Sequence, residues 1–208
     1  SIGKPGPSPN GKINVAVVGA GGMGGYAFRR AASMENLAAL CDVDYKRAWR
    51  ALAKHPDVPR FKDFRVMLDK MDKEIDAVCI NTPDHTHFVA TIDAMRRGKH
   101  VCTQKPLTQT VGEARELLRL ARLNGVVTQM GNQGHSMDGI RLVREWCQAG
   151  LLGEVRQVEI WTNRPVWPQG GDRPEGSNKV PKDLDWEAWI GAAPMRPYAG
   201  PEDLKGNG

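Results

Sequence analysis

The sequence predicts an α/β protein: a doubly wound parallel sheet over residues 12–153, then the linker and beginning of an incomplete second α/β domain over residues 154–208. Three observations predict it. Short β-branched runs recur along the chain, helical patterns separate them, and a glycine-rich turn directly follows the first run. Parallel strands covered on both faces read as near-continuous apolar runs. Strand–helix–strand repeats imply right-handed crossovers and a sheet with helices on both faces.

Residues 1–11 form a Pro/Gly/Ser leader without the apolar stretch of a signal peptide. The compartment stays open: cytoplasmic, or periplasmic if an export signal preceded Ser1. Ile13-Asn-Val-Ala-Val-Val18 begins the sheet, and similar runs follow at residues 37–41, 75–80, 100–103 and 126–130. A faint additional strand falls in residues 56–62, so the expected strand order is 3-2-1-4-5-6. Helices are expected at residues 23–32, 45–54, 64–71, 85–97 and 137–149. The clearest helix opens at Thr110-Val-Gly-Glu113, a capping box whose hydroxyl and carboxylate satisfy orphan N–H groups. Ala114, Leu117, Leu118 and Ala121 then share one face, and Asn124-Gly125 supplies a left-handed stop. Residues 154–162 read as one more strand. Residues 163–208 hold half of the 14 prolines and three of the six tryptophans, too long for a structureless loop and so the expected start of something larger.

Composition narrows the function classes. With 40% apolar and 25% charged residues, the 208-residue chain is globular in character. A net charge of +5, scattered among acids, offers no run to track a phosphate backbone, so nucleic acid is not an expected partner. No stretch approaches the ~18 apolar residues of a membrane span. Cys41, Cys79, Cys102 and Cys147 lack metal or disulfide spacing, and the three that sit in apolar runs read as small hydrophobes.

Chemistry concentrates at strand ends. Gly19-Ala-Gly21-Gly22-Met23-Gly24 is a G-x-G-x-x-G turn between strand and helix, the Rossmann-type fingerprint. It gives a tight turn, backbone approach to a pyrophosphate, and close helix–strand packing. Asp42, 18 residues past Gly24, ends the second strand where a ribose-binding carboxylate belongs, and would repel a 2′-phosphate. Asp44 is the next helix's cap. Asn81-Thr82-Pro83 ends the fourth strand, with Thr82 and Pro83 able to cover a cofactor and His85 and His87 following. The His-x-His pair lacks a third ligand, and no metal is expected. Gln104-Lys105-Pro106 and Gly131-Asn132 end the fifth and sixth strands. Trp161, Asn163, Arg164 and Trp167 could form an aromatic lip for a sugar or pack against another domain.

Taken in order, these motifs resemble the glucose–fructose oxidoreductase / inositol dehydrogenase / rhizopine catabolism (Gfo/Idh/MocA) family. The later Leu184-Asp-Trp186-Glu-Ala-Trp189-Ile-Gly191 and Arg196-Pro-Tyr198 are similar to a subgroup's join with its substrate domain. The resemblance implies a Rossmann domain with a tightly held nicotinamide cofactor and a second, mostly antiparallel α/β domain. Substrates would be sugars, cyclitols or derivatives, changed at one carbinol carbon, and homo-oligomers would form through the second domain. Lys105 takes the place of the family's catalytic lysine; Gln104 replaces the usual glutamate and brings no charge. The expected cofactor-binding set is Gly19, Gly21, Gly22, Met23, Gly24, Asp42, Asn81, Thr82, Pro83, His85, His87, Gln104, Lys105 and Asn132. NAD is expected over NADP, with Lys46 and Arg47 able to soften the preference.

The expected activity is NAD-dependent oxidation or reduction of a CH–OH group, with Lys105 exchanging the alcohol proton. This chain is expected to hold cofactor while lacking a complete catalytic set. The alternatives are a redox-neutral, NAD-retaining glycosidase or lyase of the same family, a non-catalytic NAD-binding module, and an S-adenosylmethionine-dependent methyltransferase.

Overall fold

A computed structural model describes residues 11–22, 24–163, 172 and 175–200. The chain divides into two compact units: Ser1–Gly131 with Ser177–Gly208, and Asn132–Gly176. The first unit contains six parallel strands: β1 (Asn14–Val18), β2 (Asn36–Cys41), β3 (Arg60–Phe61), β4 (Ala77–Ile80), β5 (His100–Thr103) and β6 (Thr128–Met130). Their order is β3-β2-β1-β4-β5-β6, as the sequence predicts. Helices α1 (Gly24–Met34), α2 (Trp49–Lys54), α3 (Phe64–Lys70), α4 (His87–Arg96) and α5 (Val111–Asn124) supply the crossovers.

Alternation along the central strands builds two cores. Ala16, Val18, Val78 and Ile80 face α3, α4 and α5, meeting Met67, Leu68, Met95, Leu117 and Leu120. Val15, Val17 and Leu40 face the other way, toward Phe28 and Ala31 of α1 and Ala51 and Leu52 of α2. Both faces are therefore covered, which is why these strands carry apolar side chains at successive positions. Burial also pushes the Cys41 thiol up from its ordinary range, in keeping with a packing role.

Local signals set most boundaries. The Thr110 hydroxyl accepts from Glu113 N at 3.2 Å and Glu113 returns a bond to Thr110 N at 3.1 Å; Gly125 ends α5 at φ 62°. At α2 the helix proper begins later than expected. Asp44 Oδ1 accepts from Arg47 N at 2.9 Å, so residues 45–48 are spent on a turn before Trp49. The α4 region opens with a 3-10 turn, Asp84–Thr86, after Pro83.

The strand expected at residues 154–162 does not form. These residues have no ladder bonds, and Ile160 is 92% exposed, because among the described residues no neighbouring strand offers them a ladder. The second unit holds α6 (Asp138–Gln148), an amphipathic helix exposing Ile140, Val143 and Trp146. The first unit gains α7 (Trp186–Ile190), unexpected from sequence, capped where the Asp185 carboxylate accepts from Ala188 N at 3.0 Å.

Truncating Ile80, fully buried on β4, to alanine should cost about 2–5 kcal/mol. Thr110→Ala should cost only about 1 kcal/mol through its lost cap. Denaturant midpoints at unchanged slope would measure both; equal losses would mean that the α5 cap carries far more than a helix end.

Candidate functional site

The site lies along the carboxyl edge of the sheet, where β1, β2 and β4 end. Gly19 leaves β1 at φ 80°, and its N–H donates to Cys41 O at 2.8 Å, stitching the turn to β2. Crowding explains the glycines. A Cβ on Gly19 would lie 2.7 Å from the Asn81 carbonyl carbon, and one on Gly24 would collide with the Gly19 carbonyl oxygen. Only residues without side chains let β1, the turn and α1 approach this closely. Met23 lies outside the described residues.

Asp42 is bound into the same turn. Its Oδ2 accepts from Ala20 N and Gly21 N, each at 2.9 Å, and its Oδ1 accepts from Asp44 N at 2.9 Å. Burial pushes the Asp42 carboxyl above its ordinary range, and the three backbone donors offset part of that rise. An ionised carboxylate has about four lone-pair sites, and three are taken by backbone donors, so capacity remains for one ribose hydroxyl. Asp63 also borders the cleft, and there Arg65 holds the carboxyl below the usual range.

Asn81 and Thr82 follow β4. Asn81 Nδ2 and Thr82 Oγ1 are buried, have no hydrogen-bond partner among the described residues, and belong to residues lining the same cleft. Buried polar atoms without partners are rare and call for an explanation such as an absent ligand. The cleft measures about 1240 Å³ and runs from Gly19, Gly21 and Gly22 past Asp42 to Thr82 and Pro83. A glycine turn too crowded for side chains, a carboxylate at the neighbouring strand end and two orphaned polar atoms fit a dinucleotide.

The two histidines have other work. The His85 Nε2–H donates to the Trp189 carbonyl oxygen at 2.8 Å. His87 is 1% exposed, and its Nδ1 and Nε2 lie 2.6 and 2.7 Å from the carbonyl oxygens of Pro106 and Thr82. Lys105 is exposed just beyond β5, on the carboxyl edge but not among the residues lining the cleft. Gln104 N donates to Ile80 O at 2.9 Å, and its side chain crowds Gly131, where a Cβ would lie 2.6 Å from Oε1. Asn132 begins the second unit and is described with it. Trp161 is 84% exposed; Arg164 and Trp167 lie outside the described residues.

Four residues at the cleft lie outside the set that the sequence predicts. Arg47, considered only as a modifier of NADP selectivity, reaches over Gly22, where an added Cβ would lie 3.1 Å from its Nε and Nη2. Its spacing from Asp44 is the available signal. Trp186, Trp189 and Tyr198 also line the cleft, and no local pattern predicts this.

A ribose hydroxyl that donates to Asp42 binds the ionised form. NAD affinity should therefore rise with pH through the raised Asp42 pKa, above the usual ~4, and Asp42→Asn should flatten this limb. Asp42→Ala should weaken NAD by roughly 1–3 kcal/mol in titration calorimetry. A 2′-phosphate would meet the Asp42 carboxylate, so NADP should bind more weakly; equal affinities would remove Asp42 from ribose recognition.

Comparison with known proteins agrees with this architecture. The Gfo/Idh/MocA family model, described as an oxidoreductase family with an NAD-binding Rossmann fold, matches residues 13–132. UDP-N-acetylglucosamine 3-dehydrogenase of Acidithiobacillus ferrooxidans is 29% identical over 184 residues, 88% of this chain and 56% of that protein. A glycosyl hydrolase family 109 protein of Solibacter usitatus is 28% identical over 159 residues, 71% of this chain and 36% of that protein. An inositol dehydrogenase homologue of Azotobacter vinelandii, solved with NADH and myo-inositol, is 29% identical at a TM-score of 0.59, covering 71% of this chain and 42% of that one. The chain spans about a third to just over half the length of these curated relatives. The matched segment runs from β1 through β6 and includes the glycine turn, Asp42 and the Asn81–Thr82 strand end, so this protein belongs to the Gfo/Idh/MocA oxidoreductase family, with its NAD-binding Rossmann fold.

Proposed function

We propose that this protein is an NAD-dependent oxidoreductase acting at one carbinol carbon of a sugar, a cyclitol or a derivative. In this reading residues 12–153 hold the cofactor and residues 154–208 open the substrate-binding part. The observation that carries it is the convergence on one sheet edge of the glycine turn, Asp42, the orphaned Asn81 Nδ2 and Thr82 Oγ1, and Lys105. Kinship with an enzyme named as a dehydrogenase of a UDP-sugar supports the substrate class. Self-association through the substrate domain belongs to the same proposal.

The residues divide the work by position. Gly19, Gly21, Gly22 and Gly24 accept the pyrophosphate against bare backbone, and Arg47 supplies a nearby positive charge. Asp42 takes a ribose hydroxyl. Asn81 and Thr82 bond the part of the dinucleotide that crosses from β1 toward β4. When bound, the nicotinamide supplies two-electron, hydride chemistry. Lys105, beyond β5, lies farther along the edge from Asp42 than the glycine turn, on the side where the reacting end would lie. Its Nζ exchanges the proton that an alcohol must lose as it becomes a carbonyl. Gln104 beside it can hydrogen-bond but adds no charge.

A redox-neutral variant is the second reading, favoured by similarity to the glycosyl hydrolase family 109 protein. There the bound nicotinamide would supply hydride chemistry with no net redox change, and the residues of the cleft would keep it in place between turnovers. Extracting the cofactor from purified protein, before and after offering a panel of sugars, separates the two. Free NADH accumulating with substrate supports a dehydrogenase; retained cofactor with cleaved product supports the redox-neutral reading. A protein that carries and binds no NAD would overturn both.

Lys105→Met should lower turnover by ~10²-fold or more, the scale of general acid–base help, while leaving NAD affinity nearly intact. Single-turnover kinetics alongside NAD titration would check this. Normal turnover by the variant would leave Lys105 without a catalytic role.

A further inference from the structure

We infer that residues 183–198 are part of the cofactor site: a strap across the adenosine end of the cleft that governs how fast NAD enters and leaves. This rests on the reading of the cleft as an NAD site. The strap lies outside residues 13–132, the segment matched by the family model.

The strap is fastened to both walls of the cleft. On the β2–β3 side, Leu184 forms an antiparallel bridge with Asp44, and Asp185 N donates to Val43 O at 2.8 Å. Tyr45 N and Lys62 Nζ both donate to Asp183 O, at 3.3 and 3.2 Å. On the side following β4, the His85 Nε2–H donates to Trp189 O at 2.8 Å. Gly191 presses on Thr86, where an added Cβ would stand 2.9 Å from the methyl group. The ends of β2 and β4 border the space beside the glycine turn where the adenosine half of a dinucleotide lies.

Between these fastenings the strap is internally stiff. Trp186 and Trp189 stack with centroids 4.9 Å apart and planes 13° apart, and Tyr198 meets Trp186 edge-on at 5.1 Å. Trp186 Nε1 donates to Arg196 O at 2.8 Å, and Ile190 is 1% exposed. Trp186, Trp189 and Tyr198 all line the cleft. A cofactor beneath such a bridge cannot leave by its adenosine end until one fastening opens. Opening of this kind is a conformational step, slower than diffusion out of an open groove. Entry and exit are therefore slowed together, and the dissociation constant changes less than either rate.

The test uses the intact chain and NADH, with association read by stopped-flow tryptophan quenching and dissociation by displacement with excess NAD. His85→Ala, which releases the β4-side fastening, should raise both rate constants by about ten-fold or more while Kd moves only ~3-fold. His85→Gln, which keeps a donor, should restore slow exchange; a histidine needed only for stability would shift the melting temperature without this kinetic signature. In the parent protein, amide hydrogen exchange at Asp185 and Trp189 should slow when NADH binds, a readout independent of any variant. NADH binding with rates unchanged in His85→Ala, or without protection at those amides, would overturn the strap and leave the proposed function standing. Failure of the parent chain to bind NADH would overturn both.

Discussion

The Asp42 carboxylate is the contact on which the rest of the site depends. Held at the end of β2, it gathers the backbone N–H groups of Ala20 and Gly21 and so fixes the turn leaving β1. Two strands pairing in parallel fix only their own register, and the loops beyond them are otherwise free. Here one side chain joins the loops of β1 and β2, and Gly19 N adds a second tie to Cys41 O. The turn thereby faces the cleft with its shape already set. Preorganisation of this kind lowers the ordering cost that binding would otherwise carry. It also explains why the carboxylate tolerates burial, since three backbone donors satisfy it in place of water.

Most of this was legible in the sequence, because the signals are local. The glycine spacing, the apolar run ahead of it and the acid ending the next strand all lie within Val15–Asp42. The capping box at Thr110 and the stop at Gly125 are equally self-contained, and the observed α5 agrees with them. What failed, or was missed, depends on distant partners. Residues 154–162 have the composition of a strand, but a strand exists only when another ladder faces it. Helix α7 is too short to show periodicity, and its position is set by bonds to Val43, Tyr45 and His85, more than 100 residues earlier. The delayed start of α2 is intermediate: the sequence offers Asp44 as its cap, but that cap closes a turn rather than the helix.

The same distinction applies to individual site residues. Asp42 and Thr82 are expected at the site because strand ends in open α/β sheets are where ligands bind, and both line the cleft. His85 and His87 follow one of those ends, and their position alone places them beside the expected cofactor residues. Their ring nitrogens instead meet carbonyl oxygens of the protein itself. Sequence spacing locates a side chain near a cleft; it does not say which of several nearby acceptors that side chain will meet.

His87 has a mechanical consequence. Its ring is a rigid spacer whose two nitrogens touch the loop beyond β4, at Thr82 O, and the loop beyond β5, at Pro106 O. The two ring nitrogens stand 2.6 and 2.7 Å from these oxygens, which leaves little slack, and burial at 1% exposure keeps water from entering at either end. The two loops therefore behave as one truss. Thermal drift that would separate Thr82 from the residue following Lys105 must first break a buried polar contact. The tolerance between these two loops is thus set by the width of an imidazole rather than by the flexibility of loop backbone.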